Sequence, residues 1–171
     1  MADPRTRPAF DAGEREQLLG WFQMQRDIAV WKCAGLSDTD AHRIVVPSSP
    51  LMTVACIMSH LRWTEATWFE VAFLGLEPAG NPAFADEDDR DFLAAAGRPI
   101  SELVEEYRTQ SRRSDEIIAG ASLDDRGRGA RFPSASATLR WMVTHMVEET
   151  ARHVGHLDLI RELLDGEVGY Y

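Results

Sequence analysis

Glu149 and His153 stand four residues apart in ETARHVGHLDLIREL, inside a segment whose apolar residues recur every three or four positions: Leu139, Met142, Met146, then Leu157, Ile160 and Leu164. Such recurrence marks a helix with one buried face. The glutamate and the histidine occupy places in the series where further core residues belong. A carboxylate taken out of water without a partner costs several kcal/mol, so Glu149 needs an ion pair, a proton or a cation. Side chains four apart on a helix are neighbours, about 5–6 Å between Cβ atoms, so the carboxylate and an imidazole nitrogen can converge on one cation.

A third ligand has to come from another helix. His60, in IMSHLRWTEATWF, lies on the same side of its segment as Ile57, Leu61 and Thr64 and is the best candidate. Two imidazoles and one carboxylate suit zinc or a similar divalent ion and leave coordination positions open for water or substrate. Plainer readings stand beside this one. An inward histidine is commonly a hydrogen-bonded core residue, and a Glu and His four apart can be a structural pair or a chance spacing. His145 and His156 flank the same face and could ligate, orient a ligand or be structural. His42 falls in a loop and carries no signal. Asp158, Arg161 and Glu162 are expected on the solvated side of the helix.

Four helices must position these groups, at about 14–34, 50–76, 99–120 and 135–164. The first carries Leu18, Trp21, Phe22, Ile28 and Trp31 at helical spacing and stops at Gly35. Ser49 before Pro50 predicts the cap of the second, whose apolar side is Ile57, Leu61, Trp68, Val71 and Leu74. The acidic run DEDDRDF reads as a solvated stretch or a short turn of helix. Pro99 opens the third helix, and GASLDDRGRGARFPS forms an exposed loop. Ser134 or Ser136 is expected to cap the fourth. With no strand alternation and no repeat, the pattern is all-α, a four-helix bundle in a single domain spanning 1–171.

The chain has 171 residues, 18 basic against 28 acidic, and a formal charge of −10. Nucleic-acid binding normally needs clustered Lys and Arg to release counterions, so that class is set aside. Lys32 is the only lysine. The beginning, MADPRTRPAF, has no apolar run of signal-peptide length, and no window resembles a membrane span, so a cytoplasmic protein without membrane contact is expected. Cys33 and Cys56 are not in a CxxC spacing and are expected as reduced, partly buried thiols.

Taken together, GLSDTDAHRIVVPSSPLMTVACIMSHLRWTEATWF, the segment from Pro99 to Ser114, and LRWMVTHMVEETARHVGHLDLIRELLDG resemble the DinB superfamily and, within it, the actinobacterial DUF664 group. The resemblance runs through the chain in the expected order. It implies a DinB/YfiT-like four-helix bundle holding a divalent metal, zinc or nickel, on one residue of the second helix and two residues of the last. Carried over by position, these are His60, Glu149 and His153. Many relatives have His in place of Glu149, whereas the mycothiol-dependent maleylpyruvate isomerase resembles this chain in its His, Glu, His set.

The resemblance further implies a thiol S-transferase joining a low-molecular-weight thiol such as mycothiol to an electrophilic small molecule, and the arginine-heavy composition suits an actinobacterial setting. A homodimer through an apolar flank of the bundle is common among such relatives. In this scheme Trp63, Trp68 or Trp141 flanks the electrophile, Glu65 orients a ligand histidine, and neither cysteine is the nucleophile. Two other readings keep the same residues: a hydrolase using metal-bound water, and a non-catalytic, stress-associated metal-binding or interaction protein.

Overall fold

The computed structural model describes residues 6–78, 80–85, 88–130 and 136–169. Its elements are α1 (Glu14–Trp31), α2 (Asp38–Ala41), α3 (Val54–Glu65), a π-helical continuation (Ala66–Phe73), a 3₁₀ turn (Pro82–Phe84), α4 (Arg90–Leu93), α5 (Ile100–Ala119) and α6 (Leu139–Asp165). Among the described residues the only β contact is an isolated antiparallel bridge between Arg126 and Thr138. The fold is all-α, with α1 packed on α6 and α3 packed on α5, α4 and α6. None of the described helices is long and apolar enough to cross a membrane.

The caps differ from those expected. Ser49 and Pro50 belong to a turn, and α3 starts only after Thr53, whose hydroxyl accepts the Cys56 amide at 3.2 Å. Thr138, not Ser136, caps α6 by accepting from the Trp141 amide at 3.3 Å, while Ser134 lies outside the described residues. A hydroxyl in an extended residue beside the first free amides is what a cap requires, and both threonines meet that condition. Gly166, at φ 75°, ends α6 in the left-handed conformation favoured by glycine.

Past Glu65 the second helix widens instead of continuing as α. The carbonyls freed over Ala66–Phe73 find partners in the loop that follows α5: the Arg128 amide donates to Ala72 and Phe73, and the Gly129 amide donates to Ala72 at 2.9 Å. A Cβ on Gly129 would collide with the Val71 carbonyl oxygen and sit 3.1 Å from the Ala72 Cα, so only glycine lets this loop approach so closely.

Two apolar clusters fill the bundle. One surrounds Ile57, Leu61, Leu103, Tyr107 and Leu157, the other Phe22, Phe69, Leu139, Met142 and Met146. Between them runs a polar layer. Arg26 donates from Nε and Nη2 to both oxygens of Glu65 at 2.8 and 2.6 Å, Ser111 reaches the same carboxylate, and Thr150 of α6 is buried at that level. Glu65 is therefore committed to Arg26 and orients no histidine. Trp21 is exposed, because Phe22, one position on, takes the inward direction.

The end of α6 also differs from the expectation of a solvated side. Arg161 is buried and donates to the Lys32 carbonyl at 2.6 Å and the Ala34 carbonyl at 3.3 Å, while Asp158 pairs at 3.0 Å with Lys32, itself fully buried. The C-terminus of α1 leaves carbonyls without helical partners, and a guanidinium packed against them satisfies those acceptors. Glu162 alone of the three is exposed.

Candidate metal centre

His60 on α3 and Glu149 and His153 on α6 meet at the edge of the polar layer. Glu149 Oε1 lies 3.0 Å from His60 Nε2 and 3.3 Å from His153 Nε2, and one ligand atom from each residue falls within 4.8 Å of the others. The side chains of the three are 14, 17 and 11% exposed, so the cluster is largely shielded yet reachable. Glu149 does not sit at the centre of the buried stripe. Thr150 takes that place, and Glu149 stands on its margin, turned toward the two imidazoles.

The second nitrogen of each ring is also engaged. His60 Nδ1 lies 2.6 Å from Asp91 Oδ2, and His153 Nδ1 lies 3.4 Å from His156 Nδ1. Asp91 comes from α4, in the acidic run that read as solvated. Its main-chain carbonyl accepts from the Ser59 hydroxyl at 2.5 Å, and its Oδ1 accepts from the Phe92 amide at 3.1 Å. The Phe92 ring then stacks on His60 with centroids 4.1 Å apart and planes at 12°. Asp91 and Phe92 carry no periodic signal. Their role depends on a loop folding back onto a helix 31 residues earlier, and no spacing rule announces that.

The electrostatics follow from this arrangement. With Nδ1–H donating a hydrogen bond to Asp91, a neutral His60 turns an Nε2 lone pair toward the carboxylate of Glu149, and two acceptors then face one another unless positive charge lies between them. A ring proton is one solution. Burial works against that proton, but the hydrogen bonds to Asp91 and Glu149 outweigh burial and raise the His60 pKa above its ordinary value. Hydrogen bonds from His153 and His60 hold Glu149 well below the usual carboxylate range. Burial, together with neighbouring His153 and Arg152, pushes His156 down and favours its neutral form.

A divalent ion is the other solution. A tetrahedral ion about 2.0–2.1 Å from each donor places those donors about 3.3 Å apart. The two separations from Glu149, 3.0 and 3.3 Å, are close to that spacing, the three donors lie within 4.8 Å of one another, and a carboxylate-bound Nδ1 on a ligand histidine is the usual support for such a ring. The residues therefore fit a divalent cation.

The remaining sequence candidates lie elsewhere. His145 packs between Trp68 and Trp141, with centroids 4.8 and 5.2 Å away. Trp63 carries the Arg62 guanidinium on its face, and His42 Nε2 bonds the Arg98 carbonyl. Cys33 and Cys56 are free thiols, the first buried.

The fold and the cluster define a class: an all-α bundle with an imidazole and carboxylate set convergent on one point between two of its helices. The family model described as mycothiol-S-transferase matches residues 17–166, an interval that contains His60, Asp91, Glu149, His153 and His156. The chain belongs to that family. Neither the curated proteins nor the solved structures compared with it match this chain.

Proposed function

We propose that the protein is a divalent-metal-dependent thiol S-transferase, in which His60, Glu149 and His153 hold the ion and mycothiol or a similar small thiol is joined to an electrophilic small molecule. The observation that carries the reading is the placement of His60 between two carboxylates, Asp91 and Glu149, at 2.6 and 3.0 Å. That arrangement calls for positive charge at His60 Nε2, which a bound divalent ion can supply in place of a ring proton, and family membership supports the thiol.

When bound there, a divalent ion such as zinc or nickel supplies a positive charge that favours the thiolate, the form of a thiol that attacks, at neutral pH. The chain's own residues prepare the place for it. Asp91 accepts a hydrogen bond from Nδ1 of His60 and aims Nε2 inward, Phe92 covers the ring from water, and Nδ1 of His153 meets Nδ1 of His156. In the transfer, the sulfur pair forms a C–S bond to the electrophilic carbon. The thiol proton leaves to solvent, and the leaving group departs with its bonding pair or, in an addition to a double bond, the neighbouring carbon that receives the π pair takes a proton from solvent. Neither cysteine takes part.

In this reading residues 1–171 act as one cytoplasmic domain on small molecules. Leu159 and Leu163, exposed one turn apart on α6, supply an apolar flank for a homodimer. The experiment is metal content and mycothiol consumption for tag-free wild type, His60→Ala and His153→Ala. About one ion per chain with turnover, both lost in the variants, is expected. Metal-free wild type that stays so after incubation with zinc, nickel or manganese refutes the reading.

A further inference from the structure

Beside the candidate centre lies a cavity of ≈ 280 Å³ that no part of the reading above uses. Leu51, Met52, Ile57 and Phe92 make its apolar walls, His153 and His156 border it on the side of the cluster, and Ser49 and the exposed Asp89 complete its polar lining. We propose that this cavity is the subsite of the electrophile, that the electrophile is compact, uncharged and mainly apolar, about the size of a single substituted ring, and that Met52 and Phe92 set its upper size. The proposal rests on the S-transfer reading and names the substrate class that reading leaves open.

Size is the first argument. Small-molecule sites usually span about 300–1,000 Å³, and this one falls just below that range, which suits a ligand about the size of a single substituted ring. Chemistry is the second. Four apolar walls reward burial of hydrocarbon or ring surface, while the Asp89 carboxylate on a chain of net charge −10 opposes an anion. Position is the third. His153 is shared between the cavity and the cluster, so a molecule in the cavity lies next to the point where His60 Nε2, Glu149 Oε1 and His153 Nε2 converge.

The walls also have unequal stiffness. Phe92 is fixed by its stack on His60 and by the hydrogen bond from its amide to the Asp91 carboxylate, and Asp89, just before α4, has φ 59°, a left-handed conformation uncommon outside glycine. Met52 is an unbranched thioether at the end of a turn and can shift without moving the cluster. Enlarging or filling the cavity at Met52 therefore changes its capacity while leaving His60, Asp91 and Glu149 in place.

The test uses the unreactive probes N-phenylsuccinimide, N-(1-pyrenyl)succinimide and N-(carboxymethyl)succinimide, with affinities read by NMR titration on wild type, Met52→Ala and Met52→Trp. Consumption of mycothiol with N-phenylmaleimide and N-(1-pyrenyl)maleimide is followed in parallel. Wild type is expected to bind the phenyl probe at least about tenfold more tightly than the other two. Met52→Ala narrows the gap for the pyrenyl probe, and Met52→Trp weakens the phenyl probe about tenfold. Equal binding of phenyl and pyrenyl probes to wild type, or of neutral and carboxylate probes, overturns the proposal, as does a folded Met52→Trp that binds like wild type. Should Met52→Trp fail to fold, Met52→Ala against the pyrenyl probe decides. Size-graded binding without mycothiol consumption by wild type would leave the cavity's selectivity standing and bring down the transfer reading. Turnover indifferent to Met52, with no graded binding, would do the reverse.

Discussion

Asp91 Oδ2 lies 2.6 Å from His60 Nδ1, and the helix that carries Asp91 is only four residues long. The contact sets which nitrogen of His60 bears a proton and which faces Glu149. Replacing Asp91 by Asn keeps the shape and removes the charge. Divalent-ion affinity, measured by competition with a chromophoric chelator, is expected to fall about 10–100-fold while helical circular dichroism is unchanged. Wild-type affinity in Asp91→Asn would show that the carboxylate does not tune the site.

The same contacts predict opposite pH trends for metal-free and metal-loaded protein. Glu149 is held below its ordinary 4.5 by His153 and His60, so its stabilisation is present above 4.5 and is lost as pH falls through the lowered folded value. His60 is held above its ordinary 6.5, because the bonds to Asp91 and Glu149 outweigh burial. Its stabilisation is complete below 6.5 and is lost as pH rises through the raised folded value. Together the pair stabilises metal-free protein most between 4.5 and 6.5. A cation needs the ring free of that proton, so the rise in Tm on adding zinc is expected to grow from about pH 5 to about pH 8. Thermal scans with and without zinc check both trends, and a zinc effect larger at the acid end would contradict them.

Arg26 and Glu65 form a buried pair with side chains 3 and 0% exposed. Removing Glu65 leaves the buried Arg26 guanidinium with only the more exposed carboxylate of Asp115, at 2.7 Å, to balance it. Glu65→Ala is expected to cost about 3–5 kcal/mol in urea denaturation. Because Glu65 does not touch the cluster, the metal content of the folded fraction should match wild type. A shift in metal affinity would return Glu65 to the role of orienting a histidine.

Cys33 is a poor nucleophile by environment: burial pushes its thiol up to about 12. Burial also raises Cys56, with the Thr53 contact working in the other direction. Slow alkylation of both by iodoacetamide near neutral pH is the expected outcome, compared with a free small thiol. Cys33→Ser and Cys56→Ser should keep wild-type thiol transfer, and loss of turnover in Cys56→Ser would put a protein thiol into the mechanism.

Gly129 touches the π-helical segment so closely that a methyl group has nowhere to go. Gly129→Ala forces the loop away from Ala72 and breaks the hydrogen bond from its amide to the Ala72 carbonyl at 2.9 Å, at an expected cost of about 1–3 kcal/mol. The urea midpoint measures it.

Much of the bundle is legible before folding. The long helices follow from apolar spacing, and Gly35 and Gly166 mark ends because their positive φ favours glycine. Glu149 and His153 stand out because a carboxylate and an imidazole four apart on an otherwise apolar helix need a common partner, and His60 because it lies on the inner side of its own helix. Local periodicity carries all of this, since each statement concerns residues within two turns of one another.

What needed the tertiary structure is every contact between segments distant along the chain. Asp158 and Arg161 look like surface charges in sequence, yet Arg161 is buried and Asp158 partly covered, and Arg26, Lys32 and Glu65 are buried as well, because each finds an opposite charge or free carbonyls on another helix. Asp91 and Phe92 belong to a run of acids that any local rule sends to solvent, and they become the support of His60 only when α4 folds against α3. The sequence by itself determined which faces are apolar and which residues could ligate. The tertiary structure decided which charges are paired and which carboxylate orients which ring, since a charge can be buried only where the fold brings its partner, and that partner lies at no fixed spacing along the chain.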